Sequence, residues 1–240
     1  MPALLVWDLG LLPYDAAWDL QRRAVQARRT GELADDLLLL VEHPPVVTLG
    51  RGTKPGHLLA PAALLESQGI QLREVERGGD VTIHEPGQLV AYPIIDLKRH
   101  RQDLHWYLRQ LEEAIIRAIA AFGLEGIRVA GLTGVWHERP DGTRVKLASI
   151  GVHARDWVTW HGLALNVTND LATFTHTVPC GIDGVTMGTV AGCCSARGGL
   201  PAPSLPTVRE ALTASLGAVF ALPIRQAPLP FAWADAAPGS

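Results

Sequence analysis

The sequence predicts an α+β fold, a mixed β-sheet with helices packed on it, and three observations carry that expectation. Helix-period segments are interspersed along 240 residues with more strand-like runs than a regular βαβ alternation gives. The strand-like runs are apolar or β-branched and are bounded by turn residues. No repeat and no Gly/Ser-rich linker divides the chain, so residues 1–222 read as a single domain and residues 223–240 as a Pro/Ala-rich C-terminal tail.

The first helix is expected over residues 15–29, where Ala17, Leu20, Ala24 and Ala27 share one stripe. A second starts at Asp103, an N-cap residue, and carries Leu104, Leu108, Leu111, Ile115, Ile119 and Phe122 at helical spacing until Gly123 stops it. A third opens with the capping-box pattern Thr207-Val-Arg-Glu210 and runs through Leu212, Leu216 and Val219. A short helix is expected over residues 61–67. Strands are expected at 37–41, 46–49, 72–75, 89–95, 129–136, 144–154 and 160–167, with Asp141-Gly142 as a hairpin turn.

Composition excludes several classes. With 48% hydrophobic and 19% charged residues the chain is an ordinary globular protein, not a disordered one. A net charge of −3 argues against a chain built mainly to hold nucleic acid. The start lacks the features of a signal peptide, and no apolar run approaches the roughly 20 residues of a membrane helix. The three cysteines, Cys180, Cys193 and Cys194, are too few for a disulfide scaffold, and the adjacent pair has the wrong spacing for zinc. A reduced, cytoplasmic chain without metal is expected.

Three stretches, and two of the histidines, hold groups suited to chemistry. Arg77-Gly-Gly-Asp-Val-Thr-Ile-His-Glu-Pro-Gly-Gln88 combines glycines, whose backbone approaches a ligand closely, with Arg77, Thr82, His84 and Gln88; turn chemistry alone also accounts for its glycines. Lys146 lies between Val145 and Leu147 in an apolar strand, a costly place for an ammonium unless it is paired or used, although an edge strand would let its stem reach solvent. Cys180 stands between Pro179 and Gly181 on a constrained turn, where a thiol can meet a carbonyl; free cysteines are more often small buried hydrophobes. Among nine histidines, His84 and His161 sit beside glycine-containing turns and are candidates to pair with a thiol, against the commoner structural role.

In order, the chain contains Glu42-His-Pro-Pro-Val-Val-Thr-Leu-Gly-Arg51, the Arg77–Gln88 run, Lys146-Leu-Ala-Ser-Ile-Gly151, Trp160-His-Gly-Leu-Ala-Leu-Asn-Val167 and Val178-Pro-Cys-Gly-Ile182. These five ordered motifs, dense over residues 40–190, resemble the lipoyl(octanoyl) transferases of the lipoate-protein ligase B family. The resemblance implies the catalytic-domain fold of biotin and lipoate ligases, and transfer of an octanoyl group from octanoyl-acyl-carrier-protein to the target lysine of a lipoyl domain. Lipoyl domains of 2-oxoacid dehydrogenase complexes and the glycine cleavage H protein are the implied acceptors, with a monomeric enzyme and no cofactor, nucleic acid or membrane. By position, Cys180 takes the place of the family's nucleophile and Lys146 that of the lysine that lowers its pKa. Arg77, Gly78, Gly79, Asp80, Val81, Thr82, Ile83 and His84 match acyl-tunnel segments, as do Ser149, Ile150 and Gly151, and Gly162, Leu163 and Ala164.

The family pattern has glycine where this chain has Glu85. A positive φ there would strain the residue, and a carboxylate beside His84 would raise the imidazole pKa. Arg51 and Lys54, and the run Lys98-Arg99-His100-Arg101, are candidate docks for an acidic carrier protein, although the second run reads more readily as a solvated loop. Three other readings compete: an ATP-dependent lipoate or biotin ligase, a thiol acyl hydrolase, and a binding module that keeps only the fold.

Overall fold

The computed structural model describes residues 2–178, 184–196 and 201–226. Its elements run β1 (Leu4–Leu11), α1 (Tyr14–Thr30), β2 (Asp36–Glu42), β3 (Val46–Leu49), α2 (Ala62–Ser67), β4 (Gln71–Glu74), β5 (Val81–His84) and β6 (Gln88–Ile94). There follow α3 (Leu104–Ala120), β7 (Val135–Glu138), β8 (Arg144–Arg155), β9 (Val158–Asn166), β10 (Thr186–Met187), α4 (Val190–Ala196), α5 (Leu205–Phe220) and β11 (Ile224–Gln226). Among the described residues the larger sheet has the order β10-β8-β9-β6-β2-β1-β11 with β7 also on β8, and a smaller sheet has the order β4-β3-β5. The larger sheet combines antiparallel pairs at its centre with parallel pairs on either side, so it is mixed, as the sequence predicts.

Strand β2 shows why its sequence is apolar throughout. Leu37, Leu39 and Val41 face α1, packing with Ala17, Leu20 and Ala24. Leu38 and Leu40 face the opposite layer, where α3 and α5 bring Leu111, Ile115, Leu212 and Leu216. A strand covered on both faces has no polar side, because successive side chains point in opposite directions. Burying each large side chain contributes ~1.5–3 kcal/mol, and the two layers together hold the larger sheet in place.

The helix ends follow local chemistry. The carboxylate of Asp103 accepts the Trp106 N–H at 3.0 Å, capping α3, and Gly31 closes α1 in the left-handed region at φ 82°. Helix α5 begins earlier than its capping-box pattern predicts. Ser204 is the N-cap and Pro206 lies in the first turn, where its missing N–H has no intrahelical partner to lose.

Three further differences from the expected elements have physical causes. Residues 129–134 are not strand: Gly131 (φ 79°) and Gly134 (φ 134°) turn them into a loop, and β7 begins only at Val135. Strand β1 went unread because its apolar residues do not alternate; it lies between β2 and β11, parallel to both. The first residues beyond position 222 therefore belong to the sheet, as β11. The adjacent Cys193 and Cys194 are buried on α4 against the α3/α5 core, where they act as packing groups.

Candidate active site

Lys146 is delivered to the interior by β8. Val145 and Leu147 on either side fill the α3/α5 core, while the lysine itself is only 1% exposed and lines a cavity of about 250 Å³. Its Nζ lies 4.9 Å from the ring centroid of Trp136, on the neighbouring strand β7, within reach of the ring's negative face. The edge-strand route to solvent is closed.

Gly134 makes room for this side chain. A Cβ built there would stand 2.5 Å from the Ala148 carbonyl oxygen and 2.9 Å from Lys146 Cε. The Gly134 N–H donates to Glu112 Oε1 at 3.1 Å. Glu112 is fully buried on α3, and its other oxygen accepts from Arg109 Nη1 at 2.5 Å and Arg128 Nε at 3.1 Å. One buried carboxylate thus holds both ends of the loop that runs from Arg128 to Gly134. That loop contributes Gly131, Leu132 and Thr133 to the cavity wall.

Most residues singled out in the sequence converge on the same cavity. Ser149, Ile150 and Gly151 of β8 face it, as do Gly162, Leu163 and Ala164 of β9, and Arg77, Gly79, Asp80, Val81, Thr82 and His84. Gly78 and Ile83 do not. The Gly78 N–H donates to the Val152 carbonyl at 2.8 Å, stitching the glycine run to β8, and Ile83 is buried in the small sheet's core. Two glycines are required by close backbone approach: a Cβ at Gly151 would lie 2.7 Å from the Gly78 oxygen, and one at Gly162 only 2.2 Å from the Ala91 oxygen. Arg77 pins the run to β3, its Nη2 donating to the Thr48 carbonyl at 2.7 Å and its Nε to Thr48 Oγ1 at 3.1 Å.

The cavity floor is a buried aromatic and imidazole cluster that sequence reasoning only partly reached. Tyr14 and Tyr92 were missed, since each lies inside an ordinary helix or strand pattern and neither stands in a glycine motif. Tyr14 stacks on His84 with ring centroids 5.9 Å apart. His43 donates from Nδ1 to the Leu12 carbonyl at 2.7 Å and accepts the Tyr92 hydroxyl at Nε2, 2.8 Å away. His84 Nδ1 donates to Gln88 Oε1 at 2.8 Å, and Gln88 Nε2 donates onward to Asn166 Oδ1 at 2.9 Å. Burial lowers the His43 pKa to about 4. Burial, with the nearby His43, holds His84 well below the ordinary imidazole value.

Glu85 behaves otherwise than its sequence position suggested. It avoids positive φ, and Gly87 at φ 87° takes the turn instead. Its carboxylate accepts Asn169 Nδ2 at 2.8 Å and is itself pushed up by burial. It exerts no upward pull on His84, whose pKa falls where the sequence reading had it rise.

His161 is 1% exposed, faces the cavity and adopts φ 56°, with its N–H held by Gln21 Oε1 at 2.8 Å. Its ring nitrogens make no hydrogen bond, the Nε2 to Glu76 Oε1 separation being 3.6 Å. Burial lowers its pKa against the opposing pull of Glu76. Among the described residues no group of His, Cys, Asp and Glu side chains is placed to hold a metal, and no helix is long and apolar enough to cross a membrane. Cys180 lies outside the described residues.

With the site laid out, comparison with known proteins places the chain. The family model for the lipoyl protein ligase A/B catalytic domain matches residues 13–217. An octanoyltransferase of Chloroflexus aurantiacus is 48% identical over 92% of this chain and 96% of its own length, and one of Thermosynechococcus vestitus is 46% identical over 89% and 88%. A lipoate-protein ligase A structure bound with ATP superposes with a TM-score of 0.72 at 16% identity, covering 98% of this chain and 92% of that one. A bi-partite lipoate protein ligase from Thermoplasma acidophilum gives 0.71 at 16% identity over 98% and 90%; these two show the shared fold. The chain belongs to the lipoyl protein ligase A/B catalytic-domain family, and its nearly 50%-identical relatives make it an acyltransferase of the octanoyltransferase branch.

Gly134→Ala is expected to lower kcat/KM about tenfold or more, equivalent to about 1.4 kcal/mol, by displacing the loop and the lysine together. Steady-state kinetics on the folded variant check this; unchanged turnover would separate the lysine's position from this glycine. The imidazoles generate a second expectation. A histidine held below its unfolded value of about 6.5 contributes stability that is present above that pH and lost as pH falls through the folded value. For His43, with a folded value of about 4, the loss is on the order of 3 kcal/mol. Urea midpoints should therefore fall between about pH 7.5 and about pH 4.5, and His43→Gln should flatten the slope.

Proposed function

We propose that the chain transfers an octanoyl group from octanoyl-acyl-carrier-protein, through a thioester on Cys180, to the target lysine of a lipoyl domain. The observation that carries this reading is a lysine side chain, only 1% exposed, that lines a cavity together with the glycine run, β8 and β9. Domains of 2-oxoacid dehydrogenase complexes and the glycine cleavage H protein are the acceptors, and the enzyme acts as a monomer in the cytoplasm.

In the first half-reaction the Cys180 thiolate attacks the donor's thioester carbonyl and the carrier's thiol leaves with a proton. An ordinary cysteine has a pKa near 8.5, so at neutral pH a neighbouring cation is needed to keep the sulfur ionised, and Lys146 supplies it. In the second half-reaction the acceptor amine attacks the enzyme thioester, the carbon–sulfur bond breaks, and an amide forms. Thioester to amide is downhill, so no nucleotide is consumed, which separates this reading from the ATP-dependent ligases that share the fold. The acyl chain lies along Ile150, Leu163 and Ala164. Burying its eight carbons at about 0.8 kcal/mol per methylene gives roughly 5–6 kcal/mol, enough to favour this chain length over much shorter ones.

The donor docks on the basic rim. Arg51 and Lys54 are exposed in the segment next to the glycine run, where the Arg51 and Gly52 N–H groups donate to the Arg77 and Gly79 carbonyls at 3.0 and 2.9 Å. In the alternative run several side chains are already paired within the protein. Arg99 donates to the Ala34 carbonyl at 2.7 Å, His100 lies 3.3 Å from Asp36 and Arg101 lies 3.2 Å from Asp103.

Incubated with octanoyl-acyl-carrier-protein, the protein should gain one octanoyl mass on Cys180. Cys180→Ser should abolish the thioester, and Lys146→Ala should slow acylation by about 10²–10⁴. A thioester elsewhere in the serine variant would refute the assignment, and release of octanoate without acceptor would favour a hydrolase. Charge reversal at Arg51 and Lys54 should raise the donor's KM and leave kcat nearly unchanged. An unaltered KM at low salt removes them from the dock.

A further inference from the structure

We propose that His161 sets the length of acyl chain the cavity accepts, by holding water at the deep end that a longer chain cannot replace; this deepens the acyl-transfer reading and rests on it for the cavity's occupant. Exposure around the wall shows which end is deep. Gly79 and Gly131 are exposed and Asp80, Leu132 and Thr133 are half-buried, so these form the mouth. Tyr14, His84, Tyr92 and His161 are buried and form the floor. On β9, His161 pairs with Val152, on the far side of the Ser149–Gly151 wall from Lys146. An acyl chain with its carbonyl at Lys146 therefore sends its tail toward the imidazole.

On that floor His84 Nδ1 donates to Gln88 and the Tyr92 hydroxyl to His43, but the His161 ring nitrogens have no hydrogen-bond partner among the described residues. Glu76 Oε1 stands 3.6 Å from Nε2, beyond hydrogen-bond range, and already accepts the indole N–H groups of Trp160 at 2.9 Å and Trp18 at 3.2 Å. Burial lowers the imidazole's pKa, so at neutral pH the ring is uncharged and offers one N–H and one lone pair. Its placement is enforced. A regular strand sends neighbouring side chains to opposite faces, yet Trp160 and His161 both approach Glu76, because His161 adopts φ 56°. Gln21 holds that left-handed backbone, its Oε1 accepting the His161 N–H at 2.8 Å. The Tyr92 ring lies 6.5 Å from the imidazole, centroid to centroid, and its hydroxyl oxygen retains acceptor capacity while it donates to His43.

Volume alone does not stop a chain at eight carbons. An engineered apolar cavity of about 150 Å³ takes benzene, so eight carbons at the same packing fill about 200 Å³. The cavity measures about 250 Å³. The roughly 50 Å³ left over suits two further methylenes as well as it suits a water. Chemistry decides between them. Water at the floor bonds the imidazole and the Tyr92 oxygen. A methylene in its place bonds neither and strands a buried polar ring, so the added carbons lose at the floor what they gain by leaving solvent. His161 is a polar stop, distinct from a wall of bulk.

The test is calorimetric titration of octanoate and of decanoate into the full-length wild type, His161→Leu and His161→Asn. Leucine is apolar and close to histidine in size, whereas asparagine is smaller, stays polar and tolerates the left-handed backbone. Each buried methylene is worth about fourfold in affinity. The inference expects the wild type to bind decanoate no tighter than octanoate, His161→Leu to bind decanoate about tenfold tighter, and His161→Asn to keep the wild-type order. A wild type that gains tenfold from the two added methylenes overturns it, and that comparison stands even where a variant fails to fold. An unchanged ratio in His161→Leu overturns it as well. So does relaxation in His161→Asn equal to that in the leucine variant, which would mark a stop of size alone. If the wild type binds neither fatty acid, the acyl reading of the cavity falls first and the inference with it.

Discussion

The site depends on one constraint: a lysine side chain has been taken out of water and must be given room and support inside the sheet. Lys146 pays that desolvation cost because β8 carries it into the sheet between two core residues, leaving no path to solvent. Everything around it follows. A glycine at 134 is needed for clearance, and the loop before it must be anchored, which Glu112 does from α3 through the Gly134 N–H and the Arg128 guanidinium. The helix that builds the core on one face of the sheet is therefore also the support of the cavity wall.

The other half of the cavity solves the opposite problem, keeping polar groups inside without charge. His43 and His84 are each locked by hydrogen bonds that fix the proton on Nδ1, and burial keeps both neutral at physiological pH. Of the basic side chains lining the cavity among the described residues, Lys146 comes from β8, while Arg77 is engaged with Thr48 and the glycine run.

How legible this was in the sequence depends on whether a signal was local. Helix α3 was readable from Asp103 to Gly123 because its periodicity and both stop signals lie within it. Strand β2 was readable because burial on both faces leaves an unbroken apolar run. The 129–134 loop was not, since Val129 and Leu132 look like strand residues and only the cavity beyond them gives Gly131 and Gly134 their purpose. In the same way the ordered motifs located the glycine run, β8 and β9, but Tyr14 and Tyr92 enter from elements whose patterns are those of plain packing. Glu85 was misjudged because its partner, Asn169, is 84 residues away.

The central claim is that Lys146 sets the ionisation of Cys180, and the most direct measurement is the pH dependence of alkylation at that one thiol, read by peptide mass. Cys193, which burial pushes up, and Cys194 are told apart by position. The account expects a midpoint below that of an ordinary thiol, about 8.5, in the wild type, and a rise toward that value in Lys146→Met, which keeps the stem and removes the charge. The same midpoint in both proteins would contradict it.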